Sequence, residues 1–347
     1  MVKQRIMVLG AGAAGLAAAR DLADHSLDVV LVDERDRWGG QAATYACKAT
    51  DRCTACGVCL LLDLLEDMGQ REDLVFYPQT QLVGWQSQPR GGFIATLRNG
   101  SGKQWEERVD ALVVATGFEP FAARLLPDLG YGRWPEVIGA SELEEQLRED
   151  GGLYRDGELA RRIAFVQCAG SRNQLLGADY CSTVCCQYAV RMGLTMRQDH
   201  PDTEVTIFYM DLQAHSRGFD EILAAAQEQL NLVQGVPMKV ERLCGGTLEV
   251  KYEDVQSAAL KRAEFDALVI SQGMRPGLAT PQLARLLQIN RDEHGFLFRR
   301  DATQQSTRPG IYVAGSAGGP QDIRESIASG RACAARLMES EQEVGAG

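Results

Sequence analysis

The fold is decided by residues 5–15, which read RIMVLGAGAAG. The stretch Arg5–Leu9 is typical of a buried strand, and a G-x-G-x-x-G pattern follows it directly. An alanine-rich run, Leu16–Ala23, predicts a helix after the glycines, and Val29–Val32 predicts a second buried strand that ends at Asp33. A strand, a glycine turn, a helix and an acid about 20 residues on form the context in which this pattern indicates a dinucleotide-binding unit.

Each glycine of the turn is needed for a different steric reason. Gly10 permits a tight turn, Gly12 lets the backbone approach a pyrophosphate, and Gly15 lets the helix pack closely on the strand. The free N–H groups at the start of the helix would face the phosphates, and Asp33 would accept hydrogen bonds from a ribose. These residues predict a bound dinucleotide, but FAD and NAD share the pattern.

Three later segments bear on which dinucleotide is bound. Gly39–Gln41 reads GGQ and follows the acid by six residues, and the predicted strand Val109–Gly117 ends in A-T-G. Near the end of the chain, the predicted strand Gly310–Ser316 precedes a predicted helix from about Asp322 to Met338. Together these segments resemble the two-dinucleotide-domain flavoproteins of the thioredoxin reductase group, in which the chain leaves an FAD domain, builds a second domain and returns.

The resemblance implies an α/β fold in which a second, nucleotide-domain-like domain interrupts an FAD-binding Rossmann-like domain. We expect the first part of the FAD domain at residues 1–150, the second domain at 151–275 and the returning part at 276–347. Ser316 stands where the group usually has aspartate. This departure weakens the expected side-chain contact to the ribityl chain of the flavin and leaves a backbone contact possible at this position. The predicted cofactor-binding residues are Gly10, Gly12, Ala14, Gly15, Asp33, Glu34, Arg35, Gly39, Gly40, Gln41, Thr116, Gly117, Gly315, Ser316, Asp322 and Ile323.

Composition and charge exclude several classes of protein. The 347 residues are 45% hydrophobic and 24% charged, and 47 acidic against 36 basic residues leave a net charge of −11. An acidic chain without a basic stripe argues against binding to nucleic acid or to an anionic membrane surface. The sequence has no apolar segment of the roughly 18 residues that a membrane helix needs and no signal-peptide pattern, so we expect a cytoplasmic protein without membrane insertion.

The chain has ten cysteines, and eight of them fall into two groups. In a reducing compartment such groups indicate metal binding or catalysis rather than a disulfide framework. The first group consists of Cys47, Cys53, Cys56 and Cys59, and the second of Cys168, Cys181, Cys185 and Cys186.

The second group stands where a second dinucleotide-binding turn would be expected. After the predicted strand Arg162–Val166 the chain reads QCAGSR over residues 167–172, without a second G-x-G-x-x-G. The spacing Cys-x12-Cys-x3-Cys-Cys around one βα turn could supply the four thiolates of a [4Fe–4S] cluster. A vicinal disulfide between Cys185 and Cys186, a four-cysteine zinc site and unligated core thiols are the open alternatives.

Three motifs resemble those of the A subunit of heterodisulfide reductase. They are Cys168–Asn173 (CAGSRN), Tyr180–Cys186 (YCSTVCC) and Gly315–Ile323 (GSAGGPQDI). The resemblance implies one [4Fe–4S] cluster on the four cysteines of the second group, beside the FAD, in a complex with iron–sulfur and cysteine-rich subunits. The chain resembles the short form of this subunit in the heterodisulfide-reductase-like complexes of sulfur oxidisers, and the wider flavoprotein group implies a homodimer.

The first group of cysteines has three open interpretations. The spacing Cys53-x2-Cys56-x2-Cys59 matches the first three ligands of a bacterial ferredoxin motif, but the fourth is missing and Cys47 would have to replace it. Cys53 and Cys56 could instead form a redox-active pair in a segment that lies over the flavin. All four could also be reduced structural thiols.

These observations lead to three hypotheses of function. The first is an electron-transfer subunit in which FAD exchanges two electrons with one partner and the cluster passes single electrons to another. The second is a self-contained NAD(P)H-dependent disulfide oxidoreductase with Cys53 and Cys56 as its dithiol, against which the missing second glycine pattern counts. The third is a structural or redox-sensing scaffold. We favour the first and predict no catalytic side chain in this subunit.

Overall fold

A computed structural model describes residues 3–89, 91–213, 218–300 and 303–345. The strands are β1 Arg5–Leu9, β2 Asp28–Val32, β3 Leu74–Tyr77, β4 Thr80–Ser87, β5 Phe93–Asn99, β6 Gln104–Val109, β7 Ala111–Val114, β8 Phe118–Pro120, β9 Val137–Gly139, β10 Tyr154–Arg155, β11 Glu158–Leu159, β12 Arg162–Ala169, β13 Glu204–Tyr209, β14 Asn231–Arg242, β15 Leu248–Asp254, β16 Ala259–Phe265, β17 Ala267–Gln272, β18 Met274–Pro276 and β19 Ile311–Val313. The helices are α1 Ala13–Asp24, α2 Val58–Gly69, α3 Ala140–Glu149, α4 Cys185–Asp199, α5 Phe219–Gln229, α6 Thr280–Leu287 and α7 Ile323–Gly345.

The chain divides into two compact units, and the boundary between them differs from the expected one. The first unit comprises the described residues up to Ala43, Gly57–Glu119 and the described residues from Arg275 onwards, and the second comprises Thr44–Cys56 and Pro120–Met274. The first part of the first unit therefore ends at residue 119 rather than 150. The reason is β9, which pairs in parallel with β17 and so joins the sheet of the second unit.

The first unit is built on a parallel sheet with the strand order β19-β7-β1-β2-β3. Its two faces are buried against different layers. Ile6 and Val8 of β1 join a core with α1, α2 and α7, whereas Met7 and Leu9 join a core with β4, β5, β6 and α6. Burial on both faces explains why the strands of this sheet are almost entirely apolar.

The second unit is built on a sheet with the order β16-β15-β14-β13-β12-β17-β9. Along this order, the neighbouring pairs from β14 through β13, β12 and β17 to β9 are parallel. The pairs β14–β15 and β15–β16 are antiparallel. Phe165 and Ile207 pack on the side of α3, α4 and α5, while Ala164 and Phe208 face the opposite core. Because the carboxyl ends of parallel strands meet at one edge, the residues after β12, β13 and β17 lie together.

The sequence predicted the class and many of the elements of this fold. The α/β class is confirmed, and β1 has the predicted bounds. The strand β12 runs to Ala169, three residues farther than predicted, so Cys168 lies within the strand rather than after it. None of the helices in the described part of the chain combines the length and the apolar content that a membrane-crossing segment needs.

Candidate functional site

The turn between β1 and α1 is closed by contacts that exclude a side chain at two of its glycines. Gly10 has a φ of +107°, and a Cβ there would lie 2.3 Å from the carbonyl oxygen of Ala115. A Cβ on Gly15 would lie 1.8 Å from the carbonyl oxygen of Gly10. Because both contacts are with backbone atoms, neither position can accept another residue without moving the strand or the helix.

Gly12 faces open space instead. It precedes α1, and the nearest atom to a Cβ built on it is the Cα of Gly40, at 4.0 Å. Gly40 has a φ of +59°, and its own Cβ would lie 3.0 Å from the Cα of Gly12. The two glycines leave a gap without side chains beside the first N–H groups of α1, where a pyrophosphate fits and a Cβ would intrude. The residues present therefore fit a bound dinucleotide.

Asp33 ties the glycine turn to the end of β2. Its Oδ2 accepts a hydrogen bond from the N–H of Ala11 at 2.6 Å, and its Oδ1 accepts one from the N–H of Arg35 at 2.8 Å. Each carboxylate oxygen has a further lone pair that can accept a ribose hydroxyl. Glu34 and Arg35 are exposed beside it.

Two other predicted segments surround the same turn. The N–H of Gly39 donates to the carbonyl oxygen of Ala11 at 2.7 Å. The Nε2 of Gln41 donates to the carbonyl oxygen of Phe118 at 2.6 Å, directly after the pair Thr116–Gly117. The structure thus brings these predicted residues to the carboxyl ends of β1, β2 and β7.

The returning segment packs directly on α1. Gly315 has a φ of +63°, and a Cβ there would lie 2.6 Å from the Cβ of Ala14. Its N–H donates to the Oγ of Ser329 at 3.0 Å. Ser316, at the position of the usual aspartate, is buried in the short 3₁₀ helix Gly315–Gly318. The segment therefore joins the site that the glycine turn begins.

Asp322 serves as the cap of α7. Its Oδ1 accepts a hydrogen bond from the N–H of Glu325 at 2.8 Å, and Glu325 Oε2 accepts one from the N–H of Asp322 at 2.9 Å. This reciprocal arrangement is a capping box, which stabilises the start of a helix. Because the capping box engages both the N–H and the Oδ1 of Asp322, a cofactor contact from this segment would come from the backbone N–H of Ile323 at the start of α7.

Arg299 is a residue of this unit that the sequence did not single out. Its Cδ lies 3.1 Å from the position of a Cβ on Gly318, and its Nη1 donates to Gln304 Oε1 at 3.0 Å. Burial lowers the pKa of Arg299. The side chain thus brings a positive charge to the returning segment. An arginine in the irregular stretch between α6 and β19 follows no pattern that sequence analysis could use.

The second group of cysteines converges at the carboxyl edge of the second sheet. Cys168 has a φ of +59° and lies near the end of β12, where the register with β17 shifts. Cys185 and Cys186 are the first two residues of α4, and Cys181 precedes that helix. The end of one strand and the start of the next helix thus bring the four residues to one place.

Hydrogen bonds orient three of these four side chains. The N–H of Thr183, whose φ is +58°, donates to the Sγ of Cys181 at 3.3 Å. The Sγ of Cys185 donates to the carbonyl oxygen of Gln272 at 3.8 Å. The Sγ of Cys186 donates to a backbone carbonyl just beyond β13, also at 3.8 Å.

Burial raises the pKa of three of these thiols. It raises the pKa of Cys168 to about 11, with the neighbouring charges of Cys186 and Cys181 adding to the effect. Burial also raises the pKa of Cys186, and that of Cys185 well above its ordinary value. Because the pKa of one thiol responds to charge on the others, the four sulfur atoms lie within electrostatic range of one another.

The donor set suits a cluster better than a single ion. Among the described residues, no three His, Cys, Asp or Glu side chains come together in the geometry of one metal ion. A cubane differs because each thiolate binds a different iron atom, which spaces the sulfur atoms apart. All ten cysteines lie in the described part of the chain and are free thiols, so Cys185 and Cys186 form no vicinal disulfide here. The [4Fe–4S] cluster itself stays a prediction.

Protein side chains fill the turn after β12. A Cβ on Gly170 would lie 2.0 Å from the ring of Phe121. The Oγ atoms of Ser171 and Ser182 are 2.5 Å apart and buried, and Ser182 Oγ accepts a hydrogen bond from the N–H of Met274 at 2.8 Å. The gap that α1 offers to a pyrophosphate is closed at this second turn.

The segment Thr44–Cys56, which carries three cysteines of the first group, is held by buried polar contacts within the second unit. Lys48 Nζ and Glu144 Oε1 form a buried ion pair at 2.6 Å. Arg191 Nε, also buried, donates to the carbonyl oxygen of Thr54 at 2.9 Å. Cys47, Cys53 and Cys59 are exposed and Cys56 is half-buried.

Comparison with known proteins agrees with this geometry. The sequence pattern of the pyridine nucleotide-disulphide oxidoreductases matches residues 4–330. The chain belongs to this family. It is therefore an oxidoreductase, and the family match together with the open glycine turn supports FAD as its dinucleotide.

The A subunits of heterodisulfide reductases have similar sequences. The A subunit of the H₂:CoB–CoM heterodisulfide,ferredoxin reductase of Methanothermobacter thermautotrophicus is 32% identical over 257 residues, which cover 69% of this chain and 38% of that protein. An iron-sulfur A subunit of the CoB–CoM heterodisulfide reductase of Methanopyrus kandleri is 28% identical, with 96% of this chain and 64% of that protein covered. The predicted resemblance is confirmed. The chain spans less than two thirds of the length of either relative.

Solved structures share the fold over nearly the whole chain. The thioredoxin reductase of T. acidophilum superimposes with a TM-score of 0.63 and 18% identity, covering 98% of this chain and 99% of that structure. The bacillithiol disulfide reductase of Bacillus cereus has a TM-score of 0.60 and 12% identity, covering 98% and 100%. The predicted thioredoxin reductase-like fold is confirmed.

Proposed function

We propose that this chain is an electron-transfer subunit of a heterodisulfide-reductase-like complex, carrying FAD and one [4Fe–4S] cluster. The observation that carries the proposal is the convergence of Cys168, Cys181, Cys185 and Cys186 on one edge of the second sheet. The name of the Methanopyrus relative, which calls it an iron-sulfur subunit, supports the same interpretation.

The residues of the first unit bind and orient the flavin. Gly12 and Gly40 leave a gap that would take the pyrophosphate, Asp33 would accept hydrogen bonds from the ribose, and the N–H groups at the start of α7 would stabilise negative charge on the ring system. When bound, FAD would exchange two electrons and the cluster would pass them on singly. The protein determines where the cofactors sit and how readily each accepts an electron.

The second unit offers little to a pyridine nucleotide. Phe121 occupies the space beside Gly170, and the buried pair of Ser171 and Ser182 fills the rest of the turn. A nicotinamide coenzyme needs an open glycine turn for its phosphates, as α1 provides in the first unit. This contrast favours a subunit that receives electrons from a protein partner over a self-contained NAD(P)H-dependent disulfide oxidoreductase.

The names of the relatives support a place for this chain within a larger complex. Both are named as the A subunit of a heterodisulfide reductase, which suggests iron–sulfur and cysteine-rich subunits as partners of this chain. We assign it to cytoplasmic sulfur metabolism, as a homodimer within the complex. Co-purification of the tagged chain from its natural host would identify the other subunits.

The decisive experiment compares iron and flavin content in two cysteine variants. We expect about four iron atoms and one FAD per wild-type chain, purified without oxygen, with an EPR signal after reduction. Cys185→Ser should lose most of the iron and the signal while FAD stays bound. Cys56→Ser should keep both.

The opposite results would overturn the assignment. Loss of the signal in Cys56→Ser, with retention in Cys185→Ser, would move the cluster to the first group of cysteines. Iron-free wild-type protein whose flavin is reduced rapidly by NADPH would favour the disulfide oxidoreductase that uses Cys53 and Cys56.

A further inference from the structure

One phenol group lies among the second group of cysteines. Tyr188 follows Cys185 by three residues on α4, so the two side chains project from the same face of the helix. Their polar ends meet at one atom. The Oη of Tyr188 donates to the carbonyl oxygen of Gln272 at 3.2 Å, and the Sγ of Cys185 donates to the same oxygen at 3.8 Å.

The Tyr188 hydroxyl is a hydrogen-bond donor placed beside the Cys185 thiol. Both groups bond to the same carbonyl oxygen, at 3.2 Å and 3.8 Å, so they are close neighbours. A phenol hydroxyl has one O–H whose hydrogen rotates to suit its acceptor, so it can also donate to a sulfur atom in this place.

Binding of iron by Cys185 would change which acceptor the Tyr188 hydroxyl prefers, the carbonyl oxygen of Gln272 or the sulfur of Cys185. A thiol that binds iron loses its proton, so it no longer donates to Gln272 and becomes an anionic acceptor. A hydrogen bond to a charged acceptor is roughly twice as strong as one between neutral groups. The Tyr188 hydroxyl needs only a rotation about its C–O bond to turn from the carbonyl oxygen to the sulfur.

We propose that Tyr188 is a positioning residue that donates a hydrogen bond to the Cys185 thiolate and thereby raises the reduction potential of the cluster. The inference rests on the proposed function, because it needs a cluster on Cys185. Reduction adds one electron to the cluster without breaking a bond, and a donor to a ligating sulfur stabilises that added charge. The Sγ of Cys181 already accepts a hydrogen bond from the backbone N–H of Thr183 at 3.3 Å, which no side-chain substitution removes.

The test is a redox titration monitored by EPR, with dithionite as the one-electron donor. We expect Tyr188→Phe to keep its iron and FAD and to show a lower midpoint potential than the wild type. Tyr131→Phe is the matched control, since it removes another phenol of the second unit, one that bonds to the carboxylate of Glu142. Its cluster potential should equal that of the wild type.

A second replacement keeps the test open if Tyr188→Phe fails to fold. Site-specific incorporation of 3-fluorotyrosine at position 188 keeps the shape and makes the hydroxyl a stronger donor, so the potential should rise. An unchanged potential in a fully iron-loaded Tyr188→Phe, or a fall with 3-fluorotyrosine, would overturn the inference and leave the proposed function standing. Wild-type protein without iron or signal would overturn the proposed function itself.

Discussion

Each of the two units of this protein has a parallel strand, β1 or β12, that leads into a turn before a helix, and the two turns differ in what fills them. At Gly12 the space beside the helix start is open, with the nearest backbone 4.0 Å from a Cβ position. At Gly170 the same kind of space holds the ring of Phe121, 2.0 Å from a Cβ position. Open space beside free N–H groups can receive phosphates, whereas a filled turn can only position its own side chains. The first turn therefore suits a cofactor whose phosphates are bound by backbone N–H groups. The second suits a cofactor that is bound by cysteine thiolates.

The largest expected effect comes from closing the open turn. Gly12→Val should abolish FAD binding, because its side chain would occupy the pyrophosphate position while meeting little of the protein itself. The ratio of flavin absorbance to protein, with circular dichroism as a check on folding, measures the result. Gly69→Val at the end of α2, with no atom within 4 Å of its Cβ position, is the matched control and should keep its flavin. Full flavin occupancy in Gly12→Val would contradict the assignment of this site.

The filled turn should make pyridine nucleotides poor reductants. We expect the flavin of the wild-type protein to be reduced by NADH or NADPH far more slowly than the ~1–10³ s⁻¹ of ordinary enzyme turnover. The reason is that the ring of Phe121 packs against Gly170 and the buried pair of Ser171 and Ser182 lies in the same turn, where a coenzyme would need open space for its phosphates. Anaerobic stopped-flow absorbance measures the rate, with dithionite as the positive control. Rapid bleaching by either coenzyme would show that the second turn opens.

Adding a methyl group to the filled turn should destabilise the protein without a direct effect on flavin. Gly170→Ala combines a φ of +79° with a clash against Phe121, and we expect a loss of roughly 2–5 kcal/mol in the free energy of unfolding. Gly177→Ala shares the positive φ, at +62°, but meets nothing within 4 Å, so about 1–2 kcal/mol is expected there. Urea unfolding of both variants isolates the contribution of the clash. Equal losses would mean that Phe121 moves aside freely.

The smallest effect concerns the charges beside the thiolates. Arg172 pairs with Asp211, and the positive charge of Arg172 lowers the pKa of Cys168 against the larger effect of burial. If the four cysteines hold a cluster, Arg172→Gln should lower its midpoint potential and Asp211→Asn should raise it, because the two variants remove charges of opposite sign. Arg172→Lys, which keeps the charge, should lie near the wild type. Shifts of the same sign in Arg172→Gln and Asp211→Asn would indicate a general disturbance of the site.

The sequence predicted the first turn well because its residues act locally. The contact of Gly15 with the carbonyl oxygen of Gly10 lies within the glycine pattern itself, between a strand and a helix that are adjacent in the sequence. The second turn was harder to predict, because Cys168 lies inside β12 at a register shift rather than after the strand. A β-bulge depends on the partner strand, and here that partner, β17, comes about a hundred residues later.

The role of Asp33 shows the same limit at the level of one side chain. Its spacing after the glycines predicted a ribose contact, and the structure adds hydrogen bonds from Ala11 and Arg35 that hold the turn in place. Asp322, predicted as a cofactor residue, is engaged in the capping box of α7. Such local uses of a carboxylate compete with ligand binding, and a spacing pattern does not separate the two.

The sequence by itself determined the α/β class, the open glycine turn, the absence of a second G-x-G-x-x-G pattern after β12, and the two groups of cysteines. Each of these depends on residue type and near-neighbour spacing. Only the tertiary structure decided where the units divide and to which of them the segment Thr44–Cys56 belongs. The strand β9 has three residues, too few for a periodic signal, and its place follows from pairing with β17. The segment is held by Lys48 and Glu144, 96 residues apart, whose ionic contact is favourable in a buried place only when the fold brings both charges together.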